Sequence, residues 1–179
     1  MIIDQDKKLN RMVAQQMRNS FAECGINRNK SSIIVSKILD SSAFKVSKNI
    51  ALYYPIKNEI DLTGLFAIGD KNFYLPRCVN NELEFVKFDG FENLKIGSFN
   101  ILEPIGQGVN PEMLDIIYTP ALIANKKCFR LGYGKGFYDR FFKKHNLKAK
   151  KVIVISEKLV LDEFIEDNFD IQCDYIISA

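Results

Sequence analysis

Three short stretches of this chain are apolar almost without a break: Asn49-Ile-Ala-Leu-Tyr-Tyr-Pro55, Leu114-Asp-Ile-Ile-Tyr-Thr119 with Pro120 behind it, and Lys151-Val-Ile-Val-Ile155. A strand with one face in water alternates polar and apolar residues. The first of these runs therefore reads as a strand covered on both faces, the condition of a parallel or mixed sheet, and proline ends it. Helical segments are expected between and around the strands. The first spans 4–24, with Leu9, Met12, Val13, Gln16, Met17 and Phe21 near one face and Gly25 as a stop; others fall at 30–41, 61–68, 136–146 and 162–168. Shorter strands at 72–75 and 83–88 flank the turn-like Asn80-Asn81 as a hairpin, and a last strand falls at 174–178. Residues 93–111 carry Gly97, Pro104, Gly106, Gly108 and Pro111 and read as an irregular working loop. Strand and helix alternate, so the fold class is α/β.

With 179 residues, 47% of them hydrophobic, and no Pro/Gly/Ser-rich linker, the chain is expected to form one domain over 1–179. No apolar run approaches the ~20 residues that span a bilayer, and the N-terminal residues do not read as a signal peptide, so a cytoplasmic protein without a membrane partner is expected. Cys24, Cys78, Cys128 and Cys173 show no C-x-x-C spacing and His145 is the only histidine, so neither a zinc site nor a disulfide framework is indicated. A net charge of +3 is too small to imply nucleic acid, but focused in a cleft it suits an anionic substrate. The cluster Arg140, Lys143, Lys144, His145, Lys148, Lys150 and Lys151 reads as a solvated face.

The chemistry-bearing stretch is Arg130-Leu131-Gly132-Tyr133-Gly134-Lys135-Gly136-Phe137-Tyr138-Asp139-Arg140. Alternating glycines let a ligand approach bare backbone amides, and the helix that follows adds unsatisfied N–H groups and the positive end of its dipole. Phosphate suits such a cradle. Arg130 and Lys135 add fixed charge, and Asp139 could hold a Mg²⁺ that bridges phosphate oxygens. Neither G-x-x-x-x-G-K-[ST] nor G-x-G-x-x-G is present. Lys7 and Arg11, four apart, share a helical face that is either solvated or laid over the phosphates. Glu59, after the first strand, either starts the helix at 61–68 or accepts paired N–H donors from a heterocycle, and Tyr54 beside it could stack.

The glycine stretch, preceded by Leu114–Pro120, resembles the signature of the 5-formyltetrahydrofolate cyclo-ligase (methenyltetrahydrofolate synthetase) family. Lys7 and Arg11, Tyr54-Pro55 through Glu59-Ile-Asp61, and Gly97-Ser-Phe99 with Glu103-Pro104 extend the resemblance over nearly the whole chain. It implies a three-layer α/β sandwich with a central, mostly parallel sheet, similar to the ribose-5-phosphate isomerase and CoA-transferase-like fold. It also implies ATP-dependent closure of 5-formyltetrahydrofolate to the 5,10-methenyl form, with Mg²⁺ as cofactor and a reduced, sometimes polyglutamylated, folate as partner of a monomer. Arg130, Leu131, Gly132, Tyr133, Gly134, Lys135, Gly136, Phe137 and Tyr138 would bind ATP, with Lys7, Lys8 and Arg11 on its phosphates. Arg130, Lys135 and Tyr138 would serve the chemistry. Tyr54, Glu59 and Phe99 would hold the folate, and Asp139 and Asp174 the metal. A relative that binds folate or nucleotide without turnover is the alternative. The chain departs from the pattern at Ala121, at Ile123-Ala124-Asn125, at Cys128, where a glycine is usual, and at Phe169-Asp170, where His-Asp is usual.

Overall fold

The computed structural model describes residues 7–23, 26–56, 58–164 and 166–179. Helices α1 (Lys7–Glu23), α2 (Ile26–Asp40) and the short α3 (Ser42–Val46) come first. The Ser41 hydroxyl caps α3, accepting the Phe44 N–H at 3.2 Å. Strand β1 (Asn49–Ala51) follows, then the hairpin β2 (Asn72–Val79) and β3 (Glu82–Lys87), and a smaller hairpin, β4 (Leu94–Ile96) and β5 (Leu102–Pro104). The second half holds β6 (Ile116–Pro120), β7 (Ile123–Asn125), β8 (Arg130–Leu131), α4 (Phe137–Lys144), β9 (Lys150–Ile155), β10 (Val160–Leu161) and β11 (Tyr175–Ser178).

Six strands form one sheet in the order β11-β9-β6-β1-β2-β3, parallel throughout except for β3 at the edge. The apolar runs lie in its middle, and their alternate residues enter two separate cores. Ile50, Leu52, Ile116, Tyr118, Val152 and Val154 point to one face, beside Ile34 and Ile38 of α2 and Phe44 of α3. Ala51, Ile117, Ile153 and Ile155 point to the other, beside Ala14 of α1 and Phe141 and Phe142 of α4. Each interior strand thus has no wet side, which is why its sequence does not alternate. The result is a three-layer α/β sandwich with a central, mostly parallel sheet.

Pro76 sits inside β2 opposite Phe85, at a point where β1 has already ended and no neighbour on that side needs an N–H. The turn Asn80-Asn81 closes the β2–β3 hairpin with both residues left-handed, at φ 48° and 64°, as a tight hairpin requires.

Several sequence expectations need correction. The segment 61–68 is not an α-helix but a 3₁₀ turn, Thr63–Ala67, whose start is held by Asp61: its Oδ1 accepts the Thr63 N–H at 2.8 Å. Helical structure is absent from the described residues of 162–168, because the chain there has just paired β10 with β7 and continues irregularly. The loop 93–111 contains the β4–β5 hairpin. Strand 49–55 is a ladder only over Asn49–Ala51. Residues 4–6 and 24 of the first expected helix, its stop Gly25 and the Phe21 side chain lie outside the described residues. Within α1 the expected apolar face is largely in water, with Leu9, Met12 and Val13 exposed; the inward face is Asn10, Ala14 and Arg18.

Candidate functional site

In a parallel sheet the strand C-termini all open at one edge, and here β1 and β6 lead there into a cleft of about 660 Å³. Tyr53, Tyr54, Ile56 and Glu59 follow β1, Pro120 to Leu122 end β6, and Arg130 to Arg140 form the floor and one wall. Pro76 to Cys78 of β2 and Phe99, Ile101 and Glu103 of the small hairpin close the opposite side. Lys7 and Arg11 of α1 overlook the rim. Lys8 is exposed and does not line the cleft.

The glycine stretch runs from β8 to α4 as an open loop. Gly134 takes φ +92°, and Gly136 takes φ +64° and ψ 21° as the left-handed residue before the helix, so the loop follows a path on which side chains would be strained. The loop is tied down by two arginines. Arg11 Nε donates to the Gly132 carbonyl at 3.0 Å. Arg140 donates through Nη1 to the Lys135 carbonyl at 2.6 Å and through Nη2 to the Asn81 carbonyl at 3.0 Å, fastening the loop to the β2–β3 turn. Lys135 Nζ lies 5.8 Å from the Phe99 ring centroid across the cleft.

Arg130 is buried, with its guanidinium 5.2 Å from the Tyr138 ring centroid and 5.8 Å from that of Phe142. Its Nη2 meets Asp139 Oδ1 at 3.3 Å. Among the described residues, its Nε and the Tyr138 hydroxyl are buried donors without a hydrogen-bond partner. Burial holds the Tyr138 phenol far above the usual tyrosine range despite the Arg130 charge, so it stays a proton donor. Two buried donors left unsatisfied are a cost to the fold.

Glu59 is buried, and its Oε2 accepts the Ile56 N–H at 3.1 Å while Oε1 lies 3.7 Å from Arg18 Nη1. It does not start a helix; Asp61 does that. Tyr54 stands beside it on the cleft wall. Phe99, at φ 58°, projects from the tip of the β4–β5 hairpin with 60% of its surface exposed, 5.8 Å from the Phe137 ring. Glu103 holds that tip in place: its buried carboxylate accepts the Ser98 N–H at 3.1 Å and the Cys78 N–H at 3.3 Å.

The carboxylates divide differently from the sequence expectation. Asp139 Oδ1 accepts the Ile171 N–H at 3.3 Å, which brings Asp170 to the cleft beside it. Asp174 lies at the opposite, N-terminal edge of the sheet, where it accepts the Lys151 N–H at 2.8 Å and meets Lys150 and Lys151 at 3.4 and 3.8 Å. There it does for β9 what Asp115 does for β1 by accepting the Lys48 and Asn49 N–H groups. Lys7 Nζ is clasped by Asp167 at 2.8 Å and Asp170 at 2.5 Å. Burial works against its charge, but the two carboxylates outweigh it and raise its pKa. Among the described residues no group of three or more His, Cys, Asp or Glu could hold a metal ion.

The departures before the loop are structural. Asn125, fully buried, donates through Nδ2 to Glu166 at 2.8 Å and accepts the Phe129 N–H at 3.0 Å. Cys128 takes φ 65° in that turn, the conformation for which a glycine is usual. Sequence reasoning missed Arg18, Asp167 and Asp170. Arg18 had a legible signal, since Lys7, Arg11, Ala14 and Arg18 follow one another at spacings of four, three and four on one helical stripe.

A model of the 5-formyltetrahydrofolate cyclo-ligase family matches residues 3–177. The 5-formyltetrahydrofolate cyclo-ligase of Mycoplasma genitalium is 32% identical over 135 residues, spanning 73% of this chain and 72% of that protein. The solution structure of the Aquifex aeolicus 5,10-methenyltetrahydrofolate synthetase superposes with a TM-score of 0.85 at 35% identity, covering 96% of this chain and 89% of that one. The Mycoplasma pneumoniae synthetase shares the fold, with a TM-score of 0.77 at 24% identity over 96% and 98% of the two chains.

Proposed function

The chain belongs to the 5-formyltetrahydrofolate cyclo-ligase family, and from that premise we propose that it closes 5-formyltetrahydrofolate to 5,10-methenyltetrahydrofolate, converting ATP to ADP and phosphate with Mg²⁺. One observation carries the reading: the glycine cradle and the buried acceptor carboxylate of Glu59 open onto the same cleft, so one cavity can hold a polyanion and an N–H-rich ring face to face.

The nucleotide phosphates lie on the amides of Gly132 to Gly136 and at the start of α4, with Arg11 and Lys135 beside them. Lys7 supplies its charge at the rim by exchanging a carboxylate of its clasp for a phosphate. Glu59 accepts adjacent N–H groups of the pterin, and Tyr54 and Phe99 cover the rings. Buried Arg130, with Tyr138 packed against its guanidinium, adds fixed positive charge beside oxygens that gain charge during transfer. The formyl oxygen attacks the terminal phosphorus and ADP leaves. The N10 amine then attacks the activated carbon, and phosphate departs with the former formyl oxygen as N10 gives up its proton. Little side-chain acid–base work is needed, which suits a chain with one histidine.

The donor set fits Mg²⁺, which takes one or two carboxylates and fills its shell with phosphate oxygens and water. Asp139 and Asp170 would hold it. Bound there, it would offset phosphate charge and stabilise the transferring phosphoryl group. We read a monomeric domain over 1–179, acting in the cytoplasm on reduced folates with or without a polyglutamate tail.

Mixing protein, Mg-ATP and 5-formyltetrahydrofolate tests the proposal. The near-ultraviolet absorbance of the methenyl product should grow in step with ADP, one for one. Tight binding of both ligands with neither product formed would replace the enzyme by a binding protein.

A further inference from the structure

The two halves of the cleft meet in one buried side chain that neither half contains. Arg18, on the inward stripe of α1, lies behind the site with its guanidinium among three partners from three segments. Nη1 donates to the Tyr133 hydroxyl at 3.1 Å, from the glycine loop. Nη2 donates to the carbonyl of Ala121, at the end of β6. The same Nη1 stands 3.7 Å from Glu59 Oε1, with both side chains almost wholly buried. We propose that Arg18 is a positioning residue that couples the two substrate sites, so that nucleotide on the glycine loop tightens folate at Glu59 and folate tightens nucleotide.

A guanidinium is a planar fork with its donors at fixed angles, so a shift of one partner re-aims the donors at the others. Tyr133 lies between Gly132 and Gly134, in the part of the loop whose backbone must settle on the phosphates. When a nucleotide orders that segment, the Tyr133 hydroxyl is set, then the guanidinium, then the carboxylate that reads the pterin. Burial foremost, and the Glu59 charge after it, keep the Tyr133 phenol protonated, so the link stays intact through the neutral range. Coupling between two binding equilibria is reciprocal, and the factor must be the same in both directions.

The inference rests on the ATP and folate reading above, and its test separates the two. The dissociation constant of 5-formyltetrahydrofolate is measured with and without a saturating Mg²⁺ complex of a non-hydrolysable ATP analogue, and that of the analogue with and without the folate. Wild-type protein should tighten about fivefold or more in each direction, by the same factor. Tyr133→Phe removes only the hydroxyl, and its ratio should fall to about one; Arg18→Lys, which keeps the charge and loses the fork, should do the same. The variants are scored by the ratio and not by either affinity, since a purely structural role would weaken both ligands and leave the ratio unmoved. A wild-type ratio of one with both ligands bound overturns the coupling and spares the function. A full ratio in Tyr133→Phe also overturns the coupling. Wild-type protein that binds neither ligand overturns both.

Discussion

Gly134 stands at φ +92°, where any side chain is strained, yet a Cβ there would come no closer than 3.5 Å to Arg11. The cost of Gly134→Val is therefore conformational, ~1–3 kcal/mol, and it falls on the segment proposed to receive phosphate. The variant should fold and lose about tenfold or more in nucleotide affinity, measured by calorimetry. Carboxylate variants sort the proposed metal site from the scaffold. Asp139→Asn and Asp170→Asn should raise the Mg²⁺ concentration needed for turnover. Asp174→Asn should lower the melting temperature and leave that requirement alone, because its bonds are to the starts of strands at the far edge. Sequence put the metal on Asp139 and Asp174; the structure has Asp139 lining the cleft and Asp174 at the far edge of the sheet. Only the fold, which turns Ile171 N–H onto Asp139, decides that Asp170 faces the cleft. Glu59→Gln should weaken folate on the order of 30-fold, the loss of ~2 kcal/mol of charge-assisted bonding. It should also lower stability by ~3 kcal/mol, read by denaturant titration, because Arg18 is left buried without its counter-charge.

Among the elements, the β4–β5 hairpin is the piece that sequence read as loop. Its strands are three residues each, too short for a visible period, and its tip is held by Glu103 rather than by local turn chemistry. Phe99 at that tip contributes little to the core, being mostly exposed, and reaches toward Lys135 and Phe137 across the cleft. Phe99→Ala should leave the melting temperature unchanged and raise the KM for folate about fivefold, the worth of ~1 kcal/mol of aromatic contact. A changed melting temperature with unchanged KM would make the ring a structural prop. Helix α1 shows the limit of hydrophobic periodicity. Leu9, Met12 and Val13 suggested an inward apolar face, but the helix turns inward the stripe of Lys7, Arg11 and Arg18 because the cleft supplies carboxylates, a carbonyl and a phenol to meet it. At 61–68 and 162–168 the apolar residues that mimicked helices are drawn instead to the two cores, as Leu62, Leu65 and Phe164 show.

For the whole molecule, the sheet was legible because its interior strands are covered on both faces and their sequences carry no polar alternation; the loop was legible because glycine spacing is a backbone property. Side chains that meet across distant segments, such as Arg18 with Glu59, leave no such trace. The interior also sets the pH range. Tyr53, Tyr133 and Tyr138 have raised pKa values, chiefly through burial, so the stability they bring is complete below the unfolded tyrosine pKa of ~10 and is lost as pH rises through the folded values. Alkaline titration should show phenolate absorbance from these residues appearing with unfolding, not ahead of it. In the proposed reaction one cleft transfers phosphoryl to the formyl oxygen before the ring closes. 5-Formyltetrahydrofolate carrying heavy oxygen in its formyl group, turned over with Mg-ATP, tests this directly by mass spectrometry of the phosphate released. The label should appear in phosphate, one atom for each methenyl product formed; methenyl product accompanied by unlabelled phosphate would rule out a phosphorylated formyl intermediate.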